Sequence, residues 1–233
     1  MSTYDAIVIG AGHNGLVAAC YLARAGLRVL ILERYPTVGG AAITEEIHPG
    51  FRVSVASYSL SLLRPEIIRD LQLKHYGLQV YPKMPSYFMP FPDGRHLLLV
   101  AGDQDRNCAE IAHFSQADAR AYPAWEAYWD RVCDMIEPTL MQPPLSWSQL
   151  ADRFDQAGAS NDFRRLMLLS TADLLQEFFE SEPIKAAMAP QALIGTAAGV
   201  MTPGTPYIWL IHALGRAVGK RGIWGMPVGG WGP

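Results

Sequence analysis

Cysteine is scarce here and wrongly spaced for redox work. Cys20, Cys108 and Cys133 are the three in 233 residues, and none forms a C-x-x-C pair. A dithiol–disulfide relay therefore has no partners to run on. An odd, sparse count also suits a reducing compartment. Concentrated positive charge is missing as well: 19 basic residues face 22 acidic ones, and no basic run exceeds two residues, as at Lys220-Arg221. That excludes the basic face on which nucleic-acid binding depends. The six histidines show no metal-ligand spacing, and there is no G-x-S-x-G elbow. Neither a cationic n-region with an apolar h-region nor an Arg-rich presequence precedes the first apolar run, so a cytoplasmic protein is expected. The stretch Ala186 to Gly215 carries no formal charge, but Pro190, Pro203 and Pro206 with Gly195, Gly199 and Gly204 cut it into pieces too short to span a bilayer. It reads as the buried wall of a ligand cavity, with peripheral membrane contact as the alternative.

What is present is concentrated near the start. Gly10-Ala11-Gly12-His13-Asn14-Gly15 follows the apolar run Tyr4 to Ile9 and opens a helical run, Leu16 to Ala25. In a strand–turn–helix of this kind the first glycine lets the chain leave the strand tightly. The second lets the backbone touch a pyrophosphate, and the third lets the helix lie close to the sheet. The phosphates then sit against unpaired N–H groups at the positive end of the helix dipole. His13 reads as a variable position of the loop and not as a catalyst. Gly26 ends the helix, and Arg28 to Leu32 reads as a fully buried parallel strand. It stops at Glu33, roughly the ~20 residues past the glycines at which a carboxylate accepts adenosine ribose hydroxyls. Arg34 is either a solvated cation or a group that softens the repulsion of Glu33 toward a 2′-phosphate. Gly39-Gly40-Ala41 then adds more bare backbone for a phosphate or ribityl chain.

Farther along, alternation in Phe51 to Val55 suggests a strand within an otherwise irregular stretch, 42 to 63. Pro65 to Leu73 suggests a short helix, and Ser86 to Phe91 with His96 to Val100 a β-hairpin turned by Pro92-Asp93-Gly94-Arg95. Helices are expected over 106–113, 117–136, 147–157, 162–169, 172–180 and 183–189. Ser115 and Ser146 stand at capping-box spacing. A last helix is expected from an N-cap at Thr205 to about Val218. Cys20 is expected inside the first helix, buried and inert. Tyr207, Ile208 and Trp209 either line an apolar cavity or belong to the core.

The fold class expected is α/β: a Rossmann-like FAD/NAD(P)-binding domain of the glutathione-reductase type with an incomplete sheet, and an inserted, mostly helical substrate domain. Residues 1–75 form the β-α-β unit and its flavin-proximal segment, and 76–233 the hairpin and helical domain. Only two parallel strands can be found for a sheet that is normally wider. The ending, Gly225 to Pro233, is apolar and glycine-rich. A truncated chain is the expectation.

Several motifs together resemble one family. They are the N-terminal glycine signature with Gly39-Gly40 behind Glu33, the run Ala56 to Glu66, the Pro92-Asp93-Gly94-Arg95 turn, and Ser115 to Ala119. Phe178 to Ser181, Gly195-Thr196, Pro203-Gly204-Thr205 and the closing Gly-Gly complete the set. The chain resembles the phytoene desaturase-like FAD oxidoreductases, in particular the branch called pyridine nucleotide-disulfide oxidoreductase domain-containing protein 2. The resemblance covers nearly all of this chain and about the first half of a typical member. It implies FAD as cofactor, held by Gly10, Ala11, Gly12, His13, Asn14, Gly15, Glu33, Arg34, Gly39, Gly40 and Ala41. It also implies a C-terminal half that supplies further sheet strands and a glycine-containing segment near the flavin; at Gly229-Gly230-Trp231-Gly232 this chain departs from the family, with Trp where members usually have Met and Pro233 in place of the following helix. Ser57 and Tyr58 lie near the flavin by the same analogy, or serve structure alone. The implied reaction is hydride transfer to flavin from a small molecule, apolar or amine-bearing. No catalytic residue is singled out. A binding protein that keeps only the fold, and an NAD-dependent dehydrogenase, are the competing readings.

Overall fold

A computed structural model describes residues 3–231. These fall into two compact units. The first gathers the chain up to Lys83 with Arg216–Lys220 and the stretch from Trp224 onward; the second comprises Met84–Gly215 and Arg221–Ile223.

The first unit opens with β1 (Ala6–Ile9), α1 (His13–Arg24) and β2 (Val29–Leu32). The strands pair in parallel, with Ala6 opposite Val29 and Ile9 opposite Leu32, and α1 packs on both. The expectation of a fully buried β2 is corrected: Ile31 and Leu32 are exposed, as are Ile7 and Ile9, the last at 87 %. Apolar character on both faces belongs to a parallel strand with neighbours on all sides. Among the described residues this sheet has two strands and cover from one helix, so part of that surface meets solvent. Cys20 is corrected too, since it is exposed. The buried residue of α1 is Ala19, and the next position lies about 100° around the helix.

The stretch expected to be mostly irregular contains an antiparallel pair, β3 (Thr44–His48) and β4 (Phe51–Ser54), with a register shift between Glu46 and His48. A second helix, α2 (Pro65–Asp70), stops three residues before the expected Leu73, and Tyr21 donates to its Asp70 at 3.0 Å. Two further strands have no signal in local sequence. These are β5 (Val80–Pro82) and its antiparallel partner, which lies near the end of the chain at Gly225–Pro227. Gly225 also exchanges two 2.7 Å backbone bonds with Leu60, while the Ser61 carbonyl accepts from the amides of Arg216 and Ala217. Long-range backbone pairing, and not a hydrophobic run, thus holds the late segment in the first unit.

The second unit contains the anticipated hairpin, β6 (Tyr87–Pro90) and β7 (His96–Leu99), followed by α3 (Gln104–Ala112) and α4 (Gln116–Ile136). Next come α5 (Trp147–Gln156), α6 (Ser160–Leu168), α7 (Thr171–Phe178), α8 (Glu182–Met188) and α9 (Pro206–Ala213). The core lies along α4, where Tyr122, Trp125, Trp129, Val132 and Ile136 recur at helical spacing and are buried. Trp209 belongs to this core: its ring stacks on Trp129 at 5.5 Å and meets Trp125 edge-on at 5.1 Å. Tyr207 is exposed.

The two capping sites differ. Ser146 and Gln149 exchange both arms of the box, whereas Ser115 caps the amides of Ala117 and Asp118 without return from Asp118. The buried Asp118 carboxylate instead accepts from the amides of Glu180 (2.8 Å) and Ser181 (3.1 Å), 62 and 63 residues away. Asp118→Ala should therefore cost about 1–3 kcal/mol, because two donors lose their acceptor; urea unfolding measures it, and a change below about 0.5 kcal/mol would refute the assignment.

The last helix is shorter than expected, ending at Ala213, and Thr205 does not cap it. The Thr205 hydroxyl accepts from the Thr171 amide (3.0 Å) and donates to the Thr202 carbonyl (2.8 Å). A tertiary contact has taken the group that the local pattern assigned to the cap. Among the described residues no helix is long and apolar enough to cross a membrane.

Candidate dinucleotide-binding site

The site is built where β1 gives way to α1. The Gly10 amide donates to the Leu32 carbonyl at 2.7 Å, carrying the parallel pairing into the loop. From there the three glycines behave differently. A Cβ on Gly15 would collide with the Gly10 carbonyl oxygen and press Val8 at 3.3 Å, so Gly15 is demanded by the protein's own packing of helix on strand. Gly12 is not. Its backbone is extended (φ −69°, ψ 168°), a conformation open to any residue, and the nearest atom to an added Cβ is the Gly40 Cα at 3.9 Å. Nothing among the described residues requires glycine at this position.

The second glycine pair, 27 residues on, lies directly against the first loop. Gly39 donates to the Ala11 carbonyl at 2.7 Å and bridges Gly12 in parallel fashion. Gly40, at φ +63°, sits so close that an added Cβ would stand 2.9 Å from the Gly12 Cα. The pair is needed to bring two backbone segments together. His13 and Asn14 are exposed in the first turn of α1, which carries no acidic residue and no side-chain cap. A helix start of this kind offers its N–H groups to an anion.

Glu33 stands at the end of β2, where the sequence places it. One carboxylate oxygen accepts from the Ala11 amide (2.6 Å), the other from the Tyr35 amide (2.8 Å). The Tyr35 and Ala11 N–H groups hold this carboxyl below the usual range. Each oxygen keeps a second lone pair, so ribose hydroxyls can be accepted beside the backbone bonds. Arg34 and Ala41 are exposed, and the Ala41 carbonyl accepts from Ser57 at 3.1 Å. Tyr58 is exposed.

The late glycine-containing segment, which carried part of the resemblance, returns to β3. Trp231 donates its amide to the Thr44 hydroxyl at 2.6 Å, and Gly230 lies so near Thr44 that a Cβ there would collide with it. Thr44 carried no signal of its own; Gly232 and Pro233 lie outside the described residues. Among the described residues no group of three metal-ligating side chains forms.

The arrangement suits a dinucleotide diphosphate: two bare backbone segments in contact, an uncapped helix start and an acid bonded to the loop it flanks. The pH dependence follows from the lowered Glu33 pKa. A depressed carboxylate contributes above its unfolded value and loses that contribution as pH falls through the folded one. Adenosine affinity should be level down to about pH 5 and decline only below the ordinary carboxylate range. Glu33→Ala should weaken binding of FAD or ADP about tenfold in calorimetric titration and remove that acid decline. Unchanged affinity would place the ribose elsewhere.

Comparison with known proteins bears on the fold of the first unit. The NAD(P)-binding Rossmann-like domain family matches residues 8–71. Pyridine nucleotide-disulfide oxidoreductase domain-containing protein 2 of Rattus norvegicus is 40 % identical over 98 % of this chain and 44 % of its own length. One of the limonene dehydrogenase chains of Castellaniella defragrans is 30 % identical over 79 % of this chain and 34 % of its own. In structure, cyclohexylamine oxidase from Brevibacterium oxydans aligns over 99 % of the chain and 47 % of its own, with a TM-score of 0.56 at 20 % identity, a likeness of fold. The chain thus spans less than half the length of the curated relatives it matches. It is similar along almost its whole length to pyridine nucleotide-disulfide oxidoreductase domain-containing protein 2, and its first unit has the Rossmann-like fold of the NAD(P)-binding and FAD-dependent oxidoreductases.

Proposed function

We propose that this chain is the FAD-binding part of a phytoene dehydrogenase-like oxidoreductase that removes hydride from a small apolar or amine-bearing molecule. The observation that carries the reading is the contact of Gly39-Gly40 with Gly12, a glycine that the protein's own packing does not need. Gly10, Ala11, Gly12, His13, Asn14 and Gly15 form the loop on which the diphosphate lies; the Gly10 and Ala11 amides are bonded to Leu32 and Glu33, so the donors to the phosphates come from the loop beyond Ala11 at the start of α1. Glu33 accepts the adenosine ribose hydroxyls, with Arg34 beside it in solvent. Gly39, Gly40 and Ala41 flank the chain that runs toward the ring. Flavin, when bound, supplies the hydride acceptor. The protein's own part is to fix position and exclude water, which for an apolar substrate asks little of acid–base groups.

One feature supports FAD over a nicotinamide dinucleotide alone: the second glycine pair lies against the first. For the substrate class, limonene dehydrogenase, 30 % identical to this chain where they align, bears the name of an enzyme that oxidises an apolar compound. The test is a visible spectrum after incubation with FAD and desalting. Retained flavin bands that bleach with dithionite support the reading. A colourless protein that binds NAD would favour the NAD-dependent dehydrogenase, and a protein that binds neither would favour a binding protein descended from the fold.

A further inference from the structure

Tyr35 is exposed over 52 % of its surface, yet it is fixed at both ends. Its amide donates to one Glu33 oxygen at 2.8 Å, and its phenol donates to the Glu45 carboxylate on β3 at 2.5 Å. The other Glu33 oxygen holds the Ala11 amide of the glycine loop at 2.6 Å. One carboxylate therefore ties the phosphate loop to the backbone of Tyr35, and a second carboxylate anchors the phenol end of its side chain. An aromatic side chain in solvent ordinarily keeps its rotamer freedom. Here that freedom is already spent, which lowers the cost of setting a flat partner on the ring.

We propose that Tyr35 is the platform on which the adenine of the bound dinucleotide stacks, and that Glu45 positions it. The assignment rests on the dinucleotide reading above and extends it to a specificity residue. The chemistry points to a neutral, planar partner. Glu45 at the phenol and Glu33 at the Tyr35 backbone amide disfavour an added phosphate on the adenosine ribose, whereas a nucleobase has a π-face and no charge to be repelled. A second aromatic side chain would also stack, but the ring is joined through Glu33 to the backbone that receives the diphosphate, and the base lies on the far side of the ribose from those phosphates.

Calorimetric titration of the chain with FAD and with ADP, for the wild type, Tyr35→Ala, Tyr35→Phe and Glu45→Gln, tests both layers. Tyr35→Ala should weaken both ligands by about tenfold to a hundredfold, the range for losing one base–aromatic stack. Tyr35→Phe and Glu45→Gln keep the ring and loosen its tether, so each should lose only about two- to fivefold. The ring and both carboxylate contacts are at the surface, so circular dichroism should show all variants folded. If the wild type binds neither ligand, the dinucleotide reading and the platform fall together. If the wild type binds both and Tyr35→Ala binds them equally well, the platform alone falls. If Tyr35→Phe loses as much as Tyr35→Ala, the phenol itself and not the stack makes the contact, which also overturns the assignment.

Discussion

Gly12→Val is expected to lower FAD affinity about a hundredfold, so that cofactor is lost on gel filtration, while leaving the fold intact. The position is unusual in permitting that separation. An added Cβ meets nothing closer than the Gly40 Cα at 3.9 Å, and the backbone at Gly12 suits any L-residue. The new methyl groups fall where the dinucleotide diphosphate is proposed to approach. Gly15→Val supplies the contrast, because its Cβ collides with the Gly10 carbonyl and must force α1 away from β1. Overpacking of that kind costs about 1–3 kcal/mol in stability. Equal retention of FAD by wild type and Gly12→Val, read from the flavin absorbance of the desalted proteins, would falsify the loop assignment.

Trp125→Ala should produce the largest loss of stability, about 3–5 kcal/mol, read from the urea transition of the second unit. Trp125 is 2 % exposed and stands at the centre of four rings. Trp129, Phe178, Phe179 and Trp209 each meet it near edge-on, with centroids 5.1 to 5.4 Å away. Truncation leaves a cavity bounded by α4, α7 and α9 together, and the rings around it cannot close in without giving up their mutual packing. Near-UV circular dichroism should fall sharply while helix content largely remains. A variant that unfolds within about 1 kcal/mol of wild type would mean that those rings collapse onto one another and that the cluster is not a keystone.

The loop of glycines, the acid at Glu33 and the pair at Gly39-Gly40 were all legible in sequence, because each depends on backbone chemistry that residue type reports directly. Their contact was not. Gly39 bonded to Ala11 and Gly40 pressed on Gly12 join positions nearly thirty residues apart, and no local pattern encodes that distance. The same limit explains Tyr35, an ordinary surface residue by sequence that acquires a role only through Glu33 and Glu45. Thr205 and Asp118 show the converse: both sit at capping positions, and both carry tertiary bonds that outweigh the local use of the side chain.

Local sequence determined the elements and their chemistry: the strand–turn–helix at the start, the hairpin at Pro92-Asp93-Gly94-Arg95, and the helices of the second unit, whose 3.6-residue periodicity comes from one face meeting a core. Only the tertiary structure decided which distant segments share a sheet or a site. Strands at Val80–Pro82 and Gly225–Pro227 exist because they find each other, and three residues of backbone pairing have no signature until the partner is in place. Burial was likewise a tertiary decision, since an apolar strand such as β2 reads as buried in any context but is covered only where other elements lie against it.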